Sequence, residues 1–184
     1  SASPWSLLPA AAATLLTSNE VRDADFDGFR DSLIAHFYPA RVDALDRDHR
    51  LDRPVMAARH LRHLTVAYVR FGTTARVDPG DIVGYHVNVP LRGLVLSRCG
   101  DQRVVATASQ NAAVFSPRSH TELPRWDADA AQLCIKLNRG SVEAELAGLL
   151  GSPVTRPIEF DLSFDLTSPA GRQWVTVLAA VLQQ

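Results

Sequence analysis

Gly84-Tyr85-His86-Val87-Asn88-Val89-Pro90-Leu91-Arg92-Gly93 is the stretch whose reading decides the fold. Tyr85, Val87, Val89 and Leu91 fall on one side of an extended chain and His86, Asn88, Pro90 and Arg92 on the other. Alternation of period two between two glycines predicts a strand. Residues 64–71, 94–98 and 133–137 predict further strands, with shorter ones over 104–107 and 113–115. The last of the longer runs sets Leu133, Ile135 and Leu137 against Gln132, Cys134 and Lys136. Asp78-Pro79-Gly80-Asp81 reads as a turn and Cys99-Gly100-Asp101-Gln102 as a hairpin loop. Asn111 is the residue best suited to positive φ if the chain turns there.

Helices flank this β-rich middle. Acids cluster near Asp23 and Asp25, and Phe26, Phe29, Leu33 and Phe37 recur at helical spacing until Tyr38-Pro39 stops the run. Residues 41–53 alternate charges of both signs and predict a solvated connection. Ser141 is the expected N-cap of a helix that Gly151 and Pro153 end. Ser168-Pro169 opens another, with Trp174, Val177, Leu178 and Val181 on one face. No stop signal follows before Gln184, so a longer natural protein is expected. Residues 1–20 are small and apolar; Pro4 and Pro9 argue against a continuous helix before Ala10. They read as an arm, either an unstructured terminus or a flap whose Trp5 covers something.

Composition removes several classes of function. A chain of 184 residues, 46% hydrophobic and 21% charged, buries roughly 70% of its unfolded surface as one domain. A formal charge of −1 gives no sustained positive field for a phosphate backbone. Cys99 and Cys134 stand apart, without CxxC or a histidine at ligand spacing, which fits a reducing cytoplasm. No apolar run approaches the roughly 20 residues of a membrane span, so neither membrane attachment nor secretion is expected.

The chemistry-bearing motifs of hydrolases, nucleotide-binding loops and zinc proteases are absent. His60 and His63 could line a helix face, but no carboxylate lies within a turn of them. His86-x-Asn88 stands where a metal-binding cupin carries His-x-His, and no glutamate follows before Glu122. Neither a metal, nor a cofactor, nor any catalytic residue is therefore assigned. The remaining candidates are the polar faces of the two best strands: His86, Asn88, Gln132 and Cys134. They either line a pocket in a small β-barrel or face solvent or a covering helix.

The 84–93 stretch resembles a strand of the N-terminal ligand-binding and dimerisation domain of AraC-type bacterial transcription regulators, in their cupin-like subgroup. Ala113-Val114-Phe115-Ser116-Pro117 resembles the family's apolar strand ending in proline, and residues 133–150 its last barrel strand and first dimer-region helix. The tail agrees through Leu149-Leu150-Gly151, Pro157, Phe160-Asp161, Leu166-Thr167, Pro169-Ala170-Gly171 and Trp174. Similarity spans roughly residues 23 to 184. Ser109-Gln110-Asn111 replaces the family's usual Pro-Gly-Asp, and the arabinose regulator's sugar-contacting positions fall on Asp78, Gln132 and Cys134. The resemblance thus implies a less basic and less aromatic site that does not take arabinose.

The resulting expectation is a mainly β fold with flanking helices: a cupin-like β-barrel of the jelly-roll type followed by C-terminal dimerisation helices. Residues 1–20 form the arm, 21–140 the helix and effector-binding barrel, and 141–184 the helical dimerisation region. The expected ligand contacts are Trp5, Asp78, His86, Asn88, Gln132 and Cys134. The expected homodimer face is Leu146, Leu149, Leu150, Trp174, Leu178 and Val181. The partners implied are a small-molecule effector and, through a C-terminal domain outside these residues, DNA. Two other readings stay open: a small cupin-type enzyme, and a dimerisation module whose barrel Tyr85, Val87, Leu133 and Ile135 fill.

Overall fold

The computed structural model describes residues 3–21, 25–46 and 54–184. A seven-stranded sheet has the order β1-β3-β4-β11-β6-β9-β12 and faces a five-stranded sheet, β2-β5-β10-β7-β8. In the first, β1 is Glu20–Val21, β3 Val55–His60, β4 Leu64–Arg70, β6 Tyr85–Arg92, β9 Asn111–Phe115, β11 Ala131–Leu137 and β12 Ser163–Asp165. In the second, β2 is Arg41–Ala44, β5 Ala75–Asp81, β7 Leu94–Cys99, β8 Gln102–Thr107 and β10 His120–Trp126. Every recorded pairing is antiparallel. Two such sheets closing on a shared core make the expected cupin-like barrel.

The ladder β4-β11-β6 forms the middle of the larger sheet. Cys134 lies opposite both Ala67 and Asn88, and Leu133 opposite both Tyr68 and Val89. The first set faces the second sheet, within a core that includes Phe71, Val77, Val95, Phe115, Leu123 and Trp126. The second set faces away and is covered by helices. Val87, Val89, Leu133 and Ile135 therefore lie outside the barrel, not in its interior.

Among the described residues, four α-helices complete the fold. α1 spans Leu7–Asn19, inside the stretch expected to be an arm and beginning before Ala10, where the prolines argued against a continuous helix. Pro9 costs nothing there, because amide groups of a first helical turn have no intrahelical acceptor. Leu8, Ala11, Ala12 and Leu15 are buried against the outer sheet face and α4, Pro169–Leu182. The arm is thus a packed helix. α2, Phe26–His36, begins at Asp25, whose carboxylate accepts from Gly28 N at 2.7 Å. Its Phe29 and Leu33 enter the core between the sheets. α3, Arg139–Leu150, is capped by Asn138 rather than Ser141: the Asn138 side chain accepts from Ser141 N at 2.9 Å. None of its residues is buried. Ser168 caps α4 as expected, accepting from Gly171 N.

β3 and β5 contradict the sequence reading, and β10 was not foreseen. β5 runs through Pro79-Gly80, where a turn was expected, and β10 contains Pro124 and two register shifts. β3 ends at His60 and His63 lies in the loop that follows, so neither belongs to a helix face. The positive φ expected at Asn111 belongs to Ser109, while the Asn111 side chain accepts from Thr107 N at 2.9 Å. Residues 41–44 of the expected solvated connection are β2; residues 47–53, and Asp23 before α2, lie outside the described residues.

Helix propensity and packing give opposite signs at two glycines. Gly148 in α3 has open space where a Cβ would stand, whereas at Gly171 that atom would collide with Asp165 O and lie 2.6 Å from Leu166 Cα. Gly148→Ala should stabilise the chain by up to about 1 kcal/mol. Gly171→Ala should instead destabilise it by about 1–3 kcal/mol, because α4 must lift from the 165–166 backbone. Urea unfolding of both variants checks the pair.

Candidate functional site

Strand alternation carries His86 and Asn88 of β6 and Cys134 of β11 to the inner face of the larger sheet. There they meet a cavity of about 70 Å³. Its opposite wall is Val77 and Pro79 of β5 with Thr121, Leu123 and Trp126 of β10; Phe115 of β9 adds one side. Leu33 and Ile34 of α2, with Phe37, Tyr38 and Ala40 just after it, cover it.

A chain of hydrogen bonds crosses this wall. Asn88 Oδ1, which can only accept, lies 2.7 Å from His86 Nε2, so that nitrogen carries the proton. The lone pair of His86 Nδ1 is then left to accept from the Tyr38 hydroxyl at 3.3 Å. Asn88 Nδ2 has no hydrogen-bond partner among the described residues. Burial depresses the His86 pKa to about 4, with Lys136 repulsion adding to it and the Asn88 bond opposing it. Burial raises both Tyr38 and Cys134 well above their ordinary values. These three groups are all neutral at pH 7. Lys136, opposite His86 in the ladder, donates to Phe37 O at 2.8 Å and stands 4.8 Å over the Tyr38 ring. Its charge is thereby bound to the end of α2.

The other expected contacts are dispersed. Gln132 shares the inner face with Cys134 and is fully buried, but it lies off the cavity wall. Both its amide atoms lack a partner among the described residues, as does the Ser97 hydroxyl. Asp78 points away: its carboxylate accepts from Gly80 N at 3.0 Å and faces His120 at 3.4 Å. Trp5 packs on the outer helical layer, beside Leu166 and Val175. It does not reach the cavity, because α1 runs along the outer sheet face.

Of the expected dimer face, Leu149 is 85% and Leu150 62% exposed. Leu146 and Val181 are half-buried, and so is Trp174, against Phe164 at 6.0 Å between ring centres. Leu178 is buried in the core beneath α1 and is removed from that face. A second apolar groove, of about 230 Å³, runs outside the barrel past Tyr85, Val142, Phe160 and Trp174. The Tyr85 hydroxyl donates to Glu143 of α3 at 2.9 Å and accepts from Ile158 N at 2.8 Å. One strand therefore carries cavity groups on one side and an anchor for α3 on the other.

Sequence reasoning missed most of the aromatic wall that Phe37, Tyr38, Phe115 and Trp126 form. Phe37 reads as an ordinary core residue of an amphipathic helix, and Tyr38 only as its end. Trp126 terminates a strand that the pattern did not reveal.

The family model of the AraC-binding-like domain matches residues 29–184. The Probable thc operon regulatory protein of Rhodococcus erythropolis is 30% identical over 151 residues, covering 80% of this chain and 45% of that protein. This chain thus spans less than half the length of that relative. Among solved structures, the AraC-like transcriptional activator CuxR superposes with a TM-score of 0.52 at 16% identity, over 72% of this chain and 51% of that one. A cupin superfamily protein from Desulfitobacterium hafniense gives a TM-score of 0.39 at 14% identity, over 53% of this chain and 98% of that one. Among the described residues no cluster of three or more His, Cys, Asp or Glu side chains is placed to hold a metal, and no helix is long and apolar enough to cross a membrane.

His86 yields a pH prediction. Its folded pKa lies below the unfolded value, so the unfolded chain binds the extra proton as pH falls, and stability drops between about pH 6.5 and pH 4. A shift to about 4 corresponds to a loss on the order of 2–3 kcal/mol between pH 7.5 and 4.5. His86→Gln removes the titration, and urea unfolding at both pH values should show a loss smaller by that amount.

Proposed function

The chain belongs to the AraC-binding-like domain family, and on that premise we propose that it is the effector-sensing and dimerisation domain of a cytoplasmic bacterial transcription regulator. The observation that carries this reading is the cavity between the sheets, walled by both sheets and covered by α2. A small molecule enters there and is held by Asn88, His86 and Cys134 among apolar side chains. Gln132 stands behind them. Concave, mostly apolar sites with a few placed polar groups are the usual form of small-molecule binding.

The cavity also suggests how binding becomes a signal. Its volume is about 70 Å³, below the roughly 150 Å³ of an engineered cavity that takes benzene, so a ring-sized ligand must move α2 or Tyr38 outward. That motion pulls on Lys136, which ties β11 to the end of α2, and on β6, whose Tyr85 anchors α3. Binding then favours one arrangement of α2 and α3 by its difference in affinity for the two states. DNA contact falls to a domain outside these residues. The enzyme reading has less support: the His86 Nε2 proton is engaged by Asn88, and its depressed pKa is a poor match for a general base at pH 7.

A second copy of the chain is the proposed partner for α3. Leu149 and Leu150 are exposed on a helix with no buried residue, an arrangement that costs solubility in a monomer and gains area in a symmetric dimer. Sedimentation velocity should give a dimer for the chain and a folded monomer for Leu149→Arg with Leu150→Arg. A variant that unfolds would instead assign these residues to the fold.

Thermal-shift screening of small molecules tests the sensor reading. At a hundredfold excess over Kd a ligand adds about 2.7 kcal/mol, raising Tm by roughly 5–10 °C in a domain of this size. Ala40→Leu, which adds about the cavity's volume from its covering side, should keep the fold and abolish the shift. An undiminished shift in that variant contradicts the reading.

A further inference from the structure

We infer that the effector is a small uncharged molecule with an apolar, single-ring-sized body and one hydrogen-bond acceptor, which Asn88 Nδ2 recognises. This rests on the inter-sheet cavity being the effector site, as proposed above.

Three features of the wall carry it. The first is shape and polarity: Phe37, Phe115 and Trp126 present ring surfaces, and Leu33, Val77 and Leu123 complete an apolar enclosure. Such a wall rewards burial of apolar area and offers nothing to a polyhydroxylated ligand.

The second is the treatment of charge. Among the described residues, the charged groups near the wall are turned away or already engaged. Lys136 is bound to the Phe37 carbonyl and the Tyr38 ring. Glu122, between the wall residues Thr121 and Leu123, points outward to Arg76 and Arg98. Asp78, between Val77 and Pro79, points outward to His120. The titratable groups that do face the cavity, His86, Tyr38 and Cys134, are held neutral by burial. A carboxylate or ammonium entering this site would lose its hydration without meeting a free counter-ion among the described residues, a cost of several kcal/mol.

The third is the direction of the free hydrogen bond. Asn88 Oδ1 is occupied by His86, and His86 Nδ1 by Tyr38, so the chain Tyr38-His86-Asn88 ends in the two hydrogens of Asn88 Nδ2. That end donates. A carbonyl, ether or hydroxyl oxygen on the ligand satisfies it.

Benzamide, benzoate and toluene separate these features, since they share a ring and differ in charge and acceptor. Isothermal titration of the full chain at pH 7 should show benzamide at least tenfold tighter than both others. Asn88→Ala should weaken benzamide about tenfold and leave toluene unchanged, and retained toluene binding reports that the cavity survives the substitution. Should that variant fail to fold, the order of the three probes on the unaltered chain still decides. Benzoate equal to or tighter than benzamide overturns the inference, as does an unchanged benzamide-to-toluene ratio in Asn88→Ala, or binding of none of the three at millimolar concentration. The cavity reading itself fails in a different way: the probes bind, and Ala40→Leu does not block them.

Discussion

The β4-β11-β6 ladder is buried on both faces, and the rest of the structure follows from that constraint. Six consecutive residues of β6, Tyr85 to Pro90, are buried, as are the first five of β11. A strand in this position has no solvent-facing side on which polar groups can rest. Its outer face therefore needs a cover, which α1 and α4 supply, and its inner face needs an opposing sheet. Close approach is demanded at the strand ends as well. A Cβ on Gly93, already at φ +72°, would lie 2.9 Å from Ala130 Cα, so only glycine lets β6 turn away beside the start of β11.

Within that constraint the polar residues of the inner face stand out. Burial of an unpaired amide or hydroxyl costs about 1–3 kcal/mol, and an apolar replacement of similar shape would avoid it. His86 and Asn88 satisfy one another in part, whereas Gln132 and Ser97 have no partner among the described residues. Neither of the last two lines the cavity: Gln132 lies beside it on β11, and Ser97 sits on β7 of the facing sheet. The same ladder also joins the cavity to the helices. Neighbouring residues of β6 point in opposite directions, so His86 touches the cavity while Tyr85 grips Glu143 of α3 and the backbone at Ile158.

Legibility in the sequence tracked local regularity. β6 and β11 alternate cleanly, and α2 and α4 carry caps and a stripe, so these elements were readable from period and punctuation. β5 and β10 were not, because Pro79-Gly80 and Pro124 are ordinarily loop signals; here they are accommodated in strands whose pairing contains register shifts. α1 was obscured by Pro9, which sits in the one turn where proline is harmless. In the site, alternation placed His86, Asn88 and Cys134 on a shared face. It could not say which face was the lumen, since both are buried. Trp5, read as the cover of a flap, and Asp78, which the family resemblance alone nominated, lie elsewhere because α1 covers the outer sheet and Asp78 turns outward on β5. Leu178 shows the limit of a stripe: an apolar helical face does not announce whether it meets a sheet or a second molecule.

The three tryptophans allow the central claim to be tested directly. Trp126 lines the inter-sheet cavity, Trp174 borders the outer groove and Trp5 packs on the outer helical layer. With the chain labelled with 5-fluorotryptophan, fluorine NMR during titration with a compound that raises its melting temperature gives one signal from each place. The account predicts that the Trp126 resonance shifts with ligand occupancy, ahead of and further than the other two. Movement of Trp174 or Trp5 with Trp126 unmoved would contradict it and would place the ligand outside the barrel.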